Sequence, residues 1–129
     1  MKQKLGGINT LYPTPTVLVG AIVNDKPNFI TIAHIGIVNH ATPHMISLSM
    51  GKAHYTNPGI IENKAFSVNI PSENLVVETD YVGLVSGHKT DKSGLFEIFY
   101  GELEIAPMIT ECPLNMECRL FDTYDTPTH

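Results

Sequence analysis

The chain has 129 residues, of which 43% are hydrophobic and 16% are charged, and its formal net charge is −5. This length fits one domain (1–129) with a single core, and the composition excludes a disordered chain. The acidic balance argues against a nucleic-acid-binding protein, which normally carries a basic surface. Residues 1–7 do not resemble a signal peptide, and no apolar stretch approaches the roughly 20 residues that cross a bilayer. We therefore expect a cytoplasmic protein that does not enter the membrane.

A β-hairpin is the first predicted structure. Residues 16–23 (TVLVGAIV) are apolar on both faces and rich in β-branched side chains. The polar residues 24–27 (NDKP) form the predicted turn, and residues 28–34 (NFITIAH) resume the strand pattern. Strands that are apolar on both faces need cover on both sides, which favours a barrel with another layer or subunit outside it.

A third strand and a short helix follow. Residues 43–50 (PHMISLSM) have a strand pattern. Asn57 and Pro58 are typical of a helix start, with Asn57 as the N-cap and Pro58 at the first helical position. The helix is predicted to run towards Ala65, and residues 66–70 (FSVNI) form the next strand.

Ser72 is predicted to cap a second helix, whose apolar residues occur at helical spacing: Val77, Tyr81, Leu84 and Val85. Two further strands are predicted over 97–106 and 114–121. Because the early strands lack the long crossovers of a parallel sheet, the sequence predicts a mainly β, antiparallel small barrel with two short inserted helices. About six strands can only just close a barrel. Either a partner chain supplies the missing edge, or the sequence is a fragment without its last strands.

The cysteines and histidines do not indicate a catalytic or metal site. Cys112 and Cys118 are six residues apart, which predicts that they lie on one face of a strand and fill the core. His40 and His44 are separated by a Thr-Pro pair, so they cannot form the helical i, i+4 pair that binds a metal. No serine lies in a Gly-x-Ser-x-Gly elbow.

The segment 49–56 (SMGKAHYT) has the chemistry of an anion site without the spacing of a phosphate-binding loop. It offers hydroxyl groups, an ammonium group and backbone amides that Gly51 leaves accessible, followed by the positive end of a helix. An ordinary polar connection is the alternative. The loop 86–92 could bring Lys89 or Lys92 to the same anion, or it could be a solvated surface loop.

The sequence as a whole resembles the flavin-reductase-like, FMN-binding split-barrel family, and most closely the flavoredoxins. No single motif carries this resemblance; the order and spacing of several motifs do. These are residues 12–17, 26–34, 49–56, 60–73, 80–83, 86–87, 91–92, 112–114 and 117–120.

The resemblance implies a split β-barrel that forms a homodimer, with FMN bound at or near the subunit interface. It places the isoalloxazine ring against Thr31, Ile32 and Ala33, through main-chain hydrogen bonds, with His34 where relatives often have a bulky aromatic residue. It places the phosphate at the segment 49–56 and the loop 86–92, which we call the second loop. The residues concerned there are Ser49, Met50, Gly51, Lys52, Tyr55, Thr56 and Lys92.

The implied function is electron transfer through bound FMN, from NAD(P)H or a ferredoxin-like donor to an acceptor. Flavin carries this chemistry itself, so no catalytic acid, base or nucleophile is required of the protein for one-electron transfer. Two alternatives remain open: a flavin-binding module without turnover, and a barrel that has lost its cofactor and serves as an assembly subunit.

Overall fold

The structure, a computed structural model, describes residues 1–129. It is mainly β with two short α-helices, as the sequence predicts. In chain order the elements are β1 (Val17–Val23), β2 (Lys26–Ile32), β3 (Ile35–Asn39), β4 (Met45–Leu48), α1 (Thr56–Asn63), β5 (Ala65–Ile70), a 3₁₀ turn (Glu73–Leu75) that runs into α2 (Val76–Leu84), β6 (Ile98–Phe99), β7 (Met108–Ile109) and β8 (Leu114–Arg119). None of its helices is long and apolar enough to cross a membrane.

All strand pairs are antiparallel, and the strands form three separate sheets. The largest sheet has the order β2-β1-β5-β8, and the two smaller sheets pair β3 with β4 and β6 with β7. The sheets therefore form a split barrel and not a closed one. The core lies on both faces of β1, as its sequence predicts. Val17, Val19 and Ala21 pack on one side with Ile32, Ile60, Phe66 and Val68. Leu18 packs on the other side with Phe29, Leu75, Val82, Phe96, Ile109 and Cys112.

The first hairpin has a shorter turn than predicted. Only Asn24 and Asp25 form it, with φ values of 50° and 64°. Two successive residues with positive φ match the twist of the flanking strands, so pairing continues to the turn itself. Lys26 and Pro27 consequently belong to β2, where they pair with Val23 and Ile22. Proline is tolerated there because β2 is an edge strand.

One predicted strand is much shorter than expected, and two strands, β3 and β7, were not predicted. Strand β3 was missed, since Gly36 and the exposed Ile37 and Val38 give its five residues no alternating pattern. The predicted strand 97–106 is reduced to the two residues of β6. Beyond β6 the chain turns because the Glu117 carboxylate accepts hydrogen bonds from the backbone amides of Glu102 and Leu103, both at 3.1 Å.

Helix α1 begins two residues earlier than predicted, with Tyr55 and not Asn57 at the N-cap. The Asn57 side chain instead donates to the carbonyl oxygen of Gly51 at 2.8 Å. The helix packs directly on β1: a Cβ at Gly59 would lie 2.2 Å from the carbonyl oxygen of Ile22. The Asn63 amide donates to that same oxygen at 2.9 Å. Only glycine permits this approach, so α1 and the first hairpin form one packed unit.

Helix α2 buries a different face from the predicted one. Thr79 and Val82 face the core, whereas Val77 and Leu84 are each 76% exposed. Apolar side chains of this helix form two overlapping stripes at helical spacing. The spacing of the residues alone does not show which stripe packs against β2. Ser72 does stand at the N-cap of the preceding 3₁₀ turn, but its side chain makes no capping hydrogen bond.

Both cysteines pack in the core but not on one strand face, which corrects the prediction. Cys112 lies before β8 in the cluster around Leu18, and Cys118 lies on β8 against the opposite cluster. Both thiols are free.

A buried amide ties four strands together. Asn69 of β5 is fully buried, and its Nδ2 donates to the carbonyl oxygen of Leu18 in β1 at 3.0 Å. Its Oδ1 accepts from the backbone N–H of Ile109 in β7 at 3.1 Å and from Asn115 Nδ2 in β8 at 2.7 Å. Since buried amides need such partners, this position fixes β7 against the main sheet.

Candidate flavin site

The predicted ring-side and phosphate-side segments meet directly in the structure. The backbone amide of Ser49, at the end of β4, donates to the carbonyl oxygen of His34 at 2.8 Å. From Ser49 the chain runs through a connection, residues 49–55, into the first turn of α1. The pairing of β3 with β4 therefore brings two segments 15 residues apart to one place.

The connection presents several unused hydrogen-bond donors. The backbone amides of Gly51, Ala53 and Tyr55 donate no hydrogen bond within the protein. The Lys52 ammonium group makes no ion pair, and its backbone amide donates to the carbonyl oxygen of Thr128 at 3.0 Å. Free amides beside an unpaired ammonium group are a suitable environment for an anion.

His54 belongs to this site although we did not single it out from the sequence. Its Nδ1 is buried without a hydrogen-bond partner. Burial lowers the pKa of this imidazole, and the nearby positive charges of His129 and Lys92 lower it further. The lowered pKa disfavours the charged form of His54, and its Nδ1 has no hydrogen-bond partner. Its place between Ala53 and Tyr55 in an anion-type segment was the available signal.

A cavity of about 170 Å³ joins the connection to the second predicted loop. We call it the first cavity. Of the predicted site residues it brings together Tyr55, Thr56 and Lys92, with His54 beside them. Ile30 of β2 and residues 82–87, from the end of α2 onward, complete its wall. Other predicted residues do not line it, namely Thr31, Ile32, Ala33, His34, Ser49, Met50, Gly51 and Lys52.

Two of the lining side chains are held by hydrogen bonds. Thr56 is fully buried, and its Oγ1 accepts from Asn28 Nδ2 at 2.8 Å. The Tyr55 hydroxyl accepts from Asn24 Nδ2 at 3.2 Å, and its ring meets the His88 ring edge-on at 4.7 Å between centroids. These contacts fix both hydroxyl groups relative to the first hairpin.

Lys92 is more buried than a surface loop would allow, with 2% of its surface exposed. Its Nζ donates to the carbonyl oxygens of Phe29 at 3.0 Å and Val82 at 3.2 Å. Burial lowers its pKa. A lysine ammonium group has three hydrogens, so one remains for a ligand. The second loop is thus not a freely solvated one.

The ring-side residues lie at the end of an edge strand. Ile32 points into the core, and Thr31 Oγ1 donates to the carbonyl oxygen of Thr79 at 2.7 Å. Ala33 is half-buried and His34 is exposed, with its Nε2 3.5 Å from the Tyr12 hydroxyl. Main-chain groups on the outer side of an edge strand are free to bind a ligand. The side chains of Thr31 and Ile32 are already engaged, so their contribution would come from the backbone.

These residues fit a flavin mononucleotide. A phosphate dianion needs several donors. Ala53 and Tyr55, whose amides are free, and Lys92, with its third hydrogen, line the first cavity, and Lys52 lies on the same connection. The unsatisfied nitrogen of His54 adds one more polar group. A flat ring needs an accessible strand edge with a small side chain, which β2 and Ala33 provide.

Comparison with known proteins supports a flavin-binding protein. The family model for the flavin reductase like domain matches residues 9–129. A flavoredoxin from Methanosarcina acetivorans is 51% identical, with a TM-score of 0.94 over 99% of this chain and 68% of that one. The flavoredoxin of Desulfovibrio vulgaris (Miyazaki F) is 38% identical, with a TM-score of 0.89 over 97% and 69%.

More distant proteins agree with this placement. An uncharacterized protein of Archaeoglobus fulgidus is 30% identical over 121 residues, which are 92% of this chain and 67% of that one. An FMN-binding protein from Thermus thermophilus has a TM-score of 0.84 over 98% of this chain and 71% of that one. At 20% identity, it shows likeness of fold alone. The chain belongs to the flavin reductase-like family, as a flavin-binding protein with the split-barrel fold.

Proposed function

We propose that the protein binds FMN and transfers electrons through it between a reduced donor and an acceptor. The observation that carries the proposal is that the last residues of the connection, Ala53 to Tyr55, meet Lys92 around one cavity beside edge strand β2. The names of the two flavoredoxins and of the FMN-binding protein support FMN as the flavin.

In this proposal the chain binds the two ends of the cofactor differently. Lys52, Lys92 and the free amides of the connection bind the phosphate, and the backbone from Thr31 to Ala33 binds the ring. When bound, FMN accepts and releases electrons one or two at a time. The protein excludes water, orients the ring and sets the local electrostatic field. Accordingly, no side chain is assigned the role of catalytic acid, base or nucleophile.

The homodimer and a cytoplasmic location are part of the same proposal. A second copy would cover apolar side chains that are exposed on α2. Among them Val76 is 63% exposed, and Val77 and Leu84 are each 76% exposed. Exposed apolar side chains grouped on one helix are typical of an interface.

The experiment is flavin binding followed by reduction. The purified chain, freed of flavin and titrated with FMN, should quench FMN fluorescence to a 1:1 end point. The bound flavin should then bleach on mixing with NADH, NADPH or a reduced ferredoxin. Binding without bleaching by any of the three would favour the module without turnover. No binding would favour the assembly subunit and overturn the proposal.

A further inference from the structure

The first cavity contains an imidazole and an ammonium group but no carboxylate. His54 and Lys92 line it, and none of its lining residues is acidic. The whole chain nevertheless has a net charge of −5. The carboxylates therefore lie away from this opening, and no negative group of its wall can stabilise a charged imidazole there.

The packing of His54 favours the neutral form of its ring. The ring lies over Gly51, where an added Cβ would be 3.1 Å from Nε2. The backbone amide of His54 donates to the carbonyl oxygen of the same glycine at 3.0 Å. The other ring nitrogen, Nδ1, is buried without a partner. Because a protonated imidazole carries an N–H on both nitrogens, the charged form would leave a buried N–H without an acceptor.

The groups that surround His54 act in the same direction. Lys92 faces it from the second loop, and His129 from the residues after β8; burial and the charges of these two groups lower its pKa. On its own segment the titratable neighbours are Lys52 and Tyr55, and neither is acidic. From a usual value of 6.5, a lowered pKa leaves the ring mainly neutral at pH 7 in the flavin-free chain.

A bound phosphate would reverse both conditions. It brings negative charge into a cavity whose wall supplies none, and its oxygens accept hydrogen bonds. A negative charge close to an imidazole favours the protonated form and raises its pKa. A phosphate monoester, with a second pKa of about 6, is already mainly a dianion at pH 7. Any proton that accompanies its binding at this pH therefore goes to the protein.

We propose that His54 is a further phosphate-binding residue, which takes up one proton from the solvent when the phosphate of FMN enters the first cavity. This inference rests on the proposed function, which places the phosphate there, and it adds a pH dependence to that function. Because binding consumes a proton, the chain should bind FMN more tightly at pH 7 than at pH 8. Riboflavin, which lacks the phosphate, should bind equally at both values.

The test is calorimetric titration of the flavin-free chain at pH 7, in two buffers with different ionisation enthalpies. The difference in observed enthalpy gives the number of protons taken up, which should lie between zero and one for FMN and be zero for riboflavin. The Kd for FMN should rise from pH 7 to pH 8 by at most about tenfold, the limit for one linked proton.

Two variants assign the proton to a residue. His54→Asn keeps a hydrogen-bond donor near the position of Nδ1 but cannot titrate, so it should abolish both the uptake and the pH dependence of the Kd. His40→Asn is the matched control, since His40 is exposed and does not line the cavity. It should leave the uptake unchanged.

Nuclear magnetic resonance of the imidazole nitrogens gives a second measurement on the unmodified chain, which serves if His54→Asn does not fold. The pKa of His54 should rise when FMN binds and stay the same with riboflavin.

Three results would overturn the inference while leaving FMN binding intact. The first is FMN binding without proton uptake and with the pKa of His54 unchanged. The second is uptake that persists in His54→Asn, which would assign the proton to another group such as Lys92. The third is equal uptake with riboflavin, which would assign the effect to the ring of the flavin. If FMN does not bind at all, the proposed function fails as well.

Discussion

The ammonium group of Lys92 donates a hydrogen bond to the carbonyl oxygen of Phe29 at 3.0 Å. Phe29 lies in β2 and Lys92 lies 63 residues later, after α2. A second bond from the same group, at 3.2 Å to Val82, adds α2 to the contact. One buried cation therefore connects an edge strand, a helix end and the loop that lines the first cavity.

Replacing Lys92 with Met should lower the free energy of unfolding by about 1–3 kcal/mol. The methionine keeps the apolar stem but leaves two buried carbonyl oxygens without their donor. Urea denaturation followed by circular dichroism measures the loss. Lys89→Met is the matched control, since Lys89 is exposed and should tolerate the change. Equal stability of the two variants would contradict a structural role for Lys92.

Replacing Gly87 with Ala should displace the second loop. The added Cβ would lie 2.1 Å from Tyr55 Cδ1 and 2.7 Å from Asn28 Oδ1, so one of the elements must move. We expect a loss of about 1–3 kcal/mol in unfolding free energy. FMN binding should also weaken, because Gly87 lines the first cavity. Gly94→Ala is the control, since nothing lies within 4 Å of its added Cβ. Similar effects of the two substitutions would refute the steric explanation.

Replacing Lys52 with Ala should weaken FMN binding by about 1.5–3 kcal/mol, the range for a hydrogen bond to a charged group. Because Lys52 is exposed, screening by solvent makes the lower end the expected value. Fluorescence titration gives the Kd, and raising the salt concentration should narrow the difference from the unmodified chain. Riboflavin, which lacks the phosphate, should bind both proteins equally. An unchanged Kd for FMN would remove Lys52 from the phosphate site.

Replacing Val77 with Lys should weaken the proposed homodimer by tenfold or more, about 1.4 kcal/mol, because it places a charge on an apolar interface. Sedimentation velocity over a range of protein concentrations measures the dissociation constant. Asn74→Lys adds the same charge at an exposed polar residue before α2 and serves as the control. If both variants dimerise like the original chain, α2 is not the interface.

The two thiols should make the protein less stable at high pH. Burial first, and then the neighbouring carboxylates of Glu111 and Glu117, raise the pKa of Cys112 and Cys118 to about 11, from a usual value of 9.0. Below pH 9 the thiols are protonated in both the folded and unfolded states. Between about 9 and 11 the unfolded chain releases its thiol protons first, so the unfolding free energy falls as the pH rises.

Urea midpoints measured from pH 8 to pH 10.5 follow this loss. Cys118→Ala removes one of the two titrating groups, so its midpoint should fall less steeply with pH. An identical slope would show that other groups determine the alkaline behaviour.

Much of the fold could be predicted because β1 is apolar on both faces, which requires a sheet buried on both sides. The exposed strand β3 could not be predicted, because Gly36, Ile37 and Val38 show no alternation of apolar and polar side chains. The buried face of α2 could not be predicted either, since the choice between its two apolar stripes depends on contact with β2.

The candidate site was predictable where its chemistry is local. Residues 49–56 carry their hydrogen-bond donors within one short segment, and several of their backbone amides donate no hydrogen bond in the structure. The burial of Lys92 is different, because it depends on carbonyl groups of β2 and α2 that no local pattern brings together. His54 was missed for the same reason: its unsatisfied nitrogen follows from packing.

The close contact of Gly59 with Ile22 has a consequence for ligand choice. Helix α1 continues directly from the phosphate-side connection, and β1 is paired along its length with β2, which ends at the ring side. In the proposed site, the packing of the helix on the hairpin presets the span between the ring side and the phosphate side. An analogue whose ribityl chain is one carbon shorter could satisfy the ring or the phosphate, but not both.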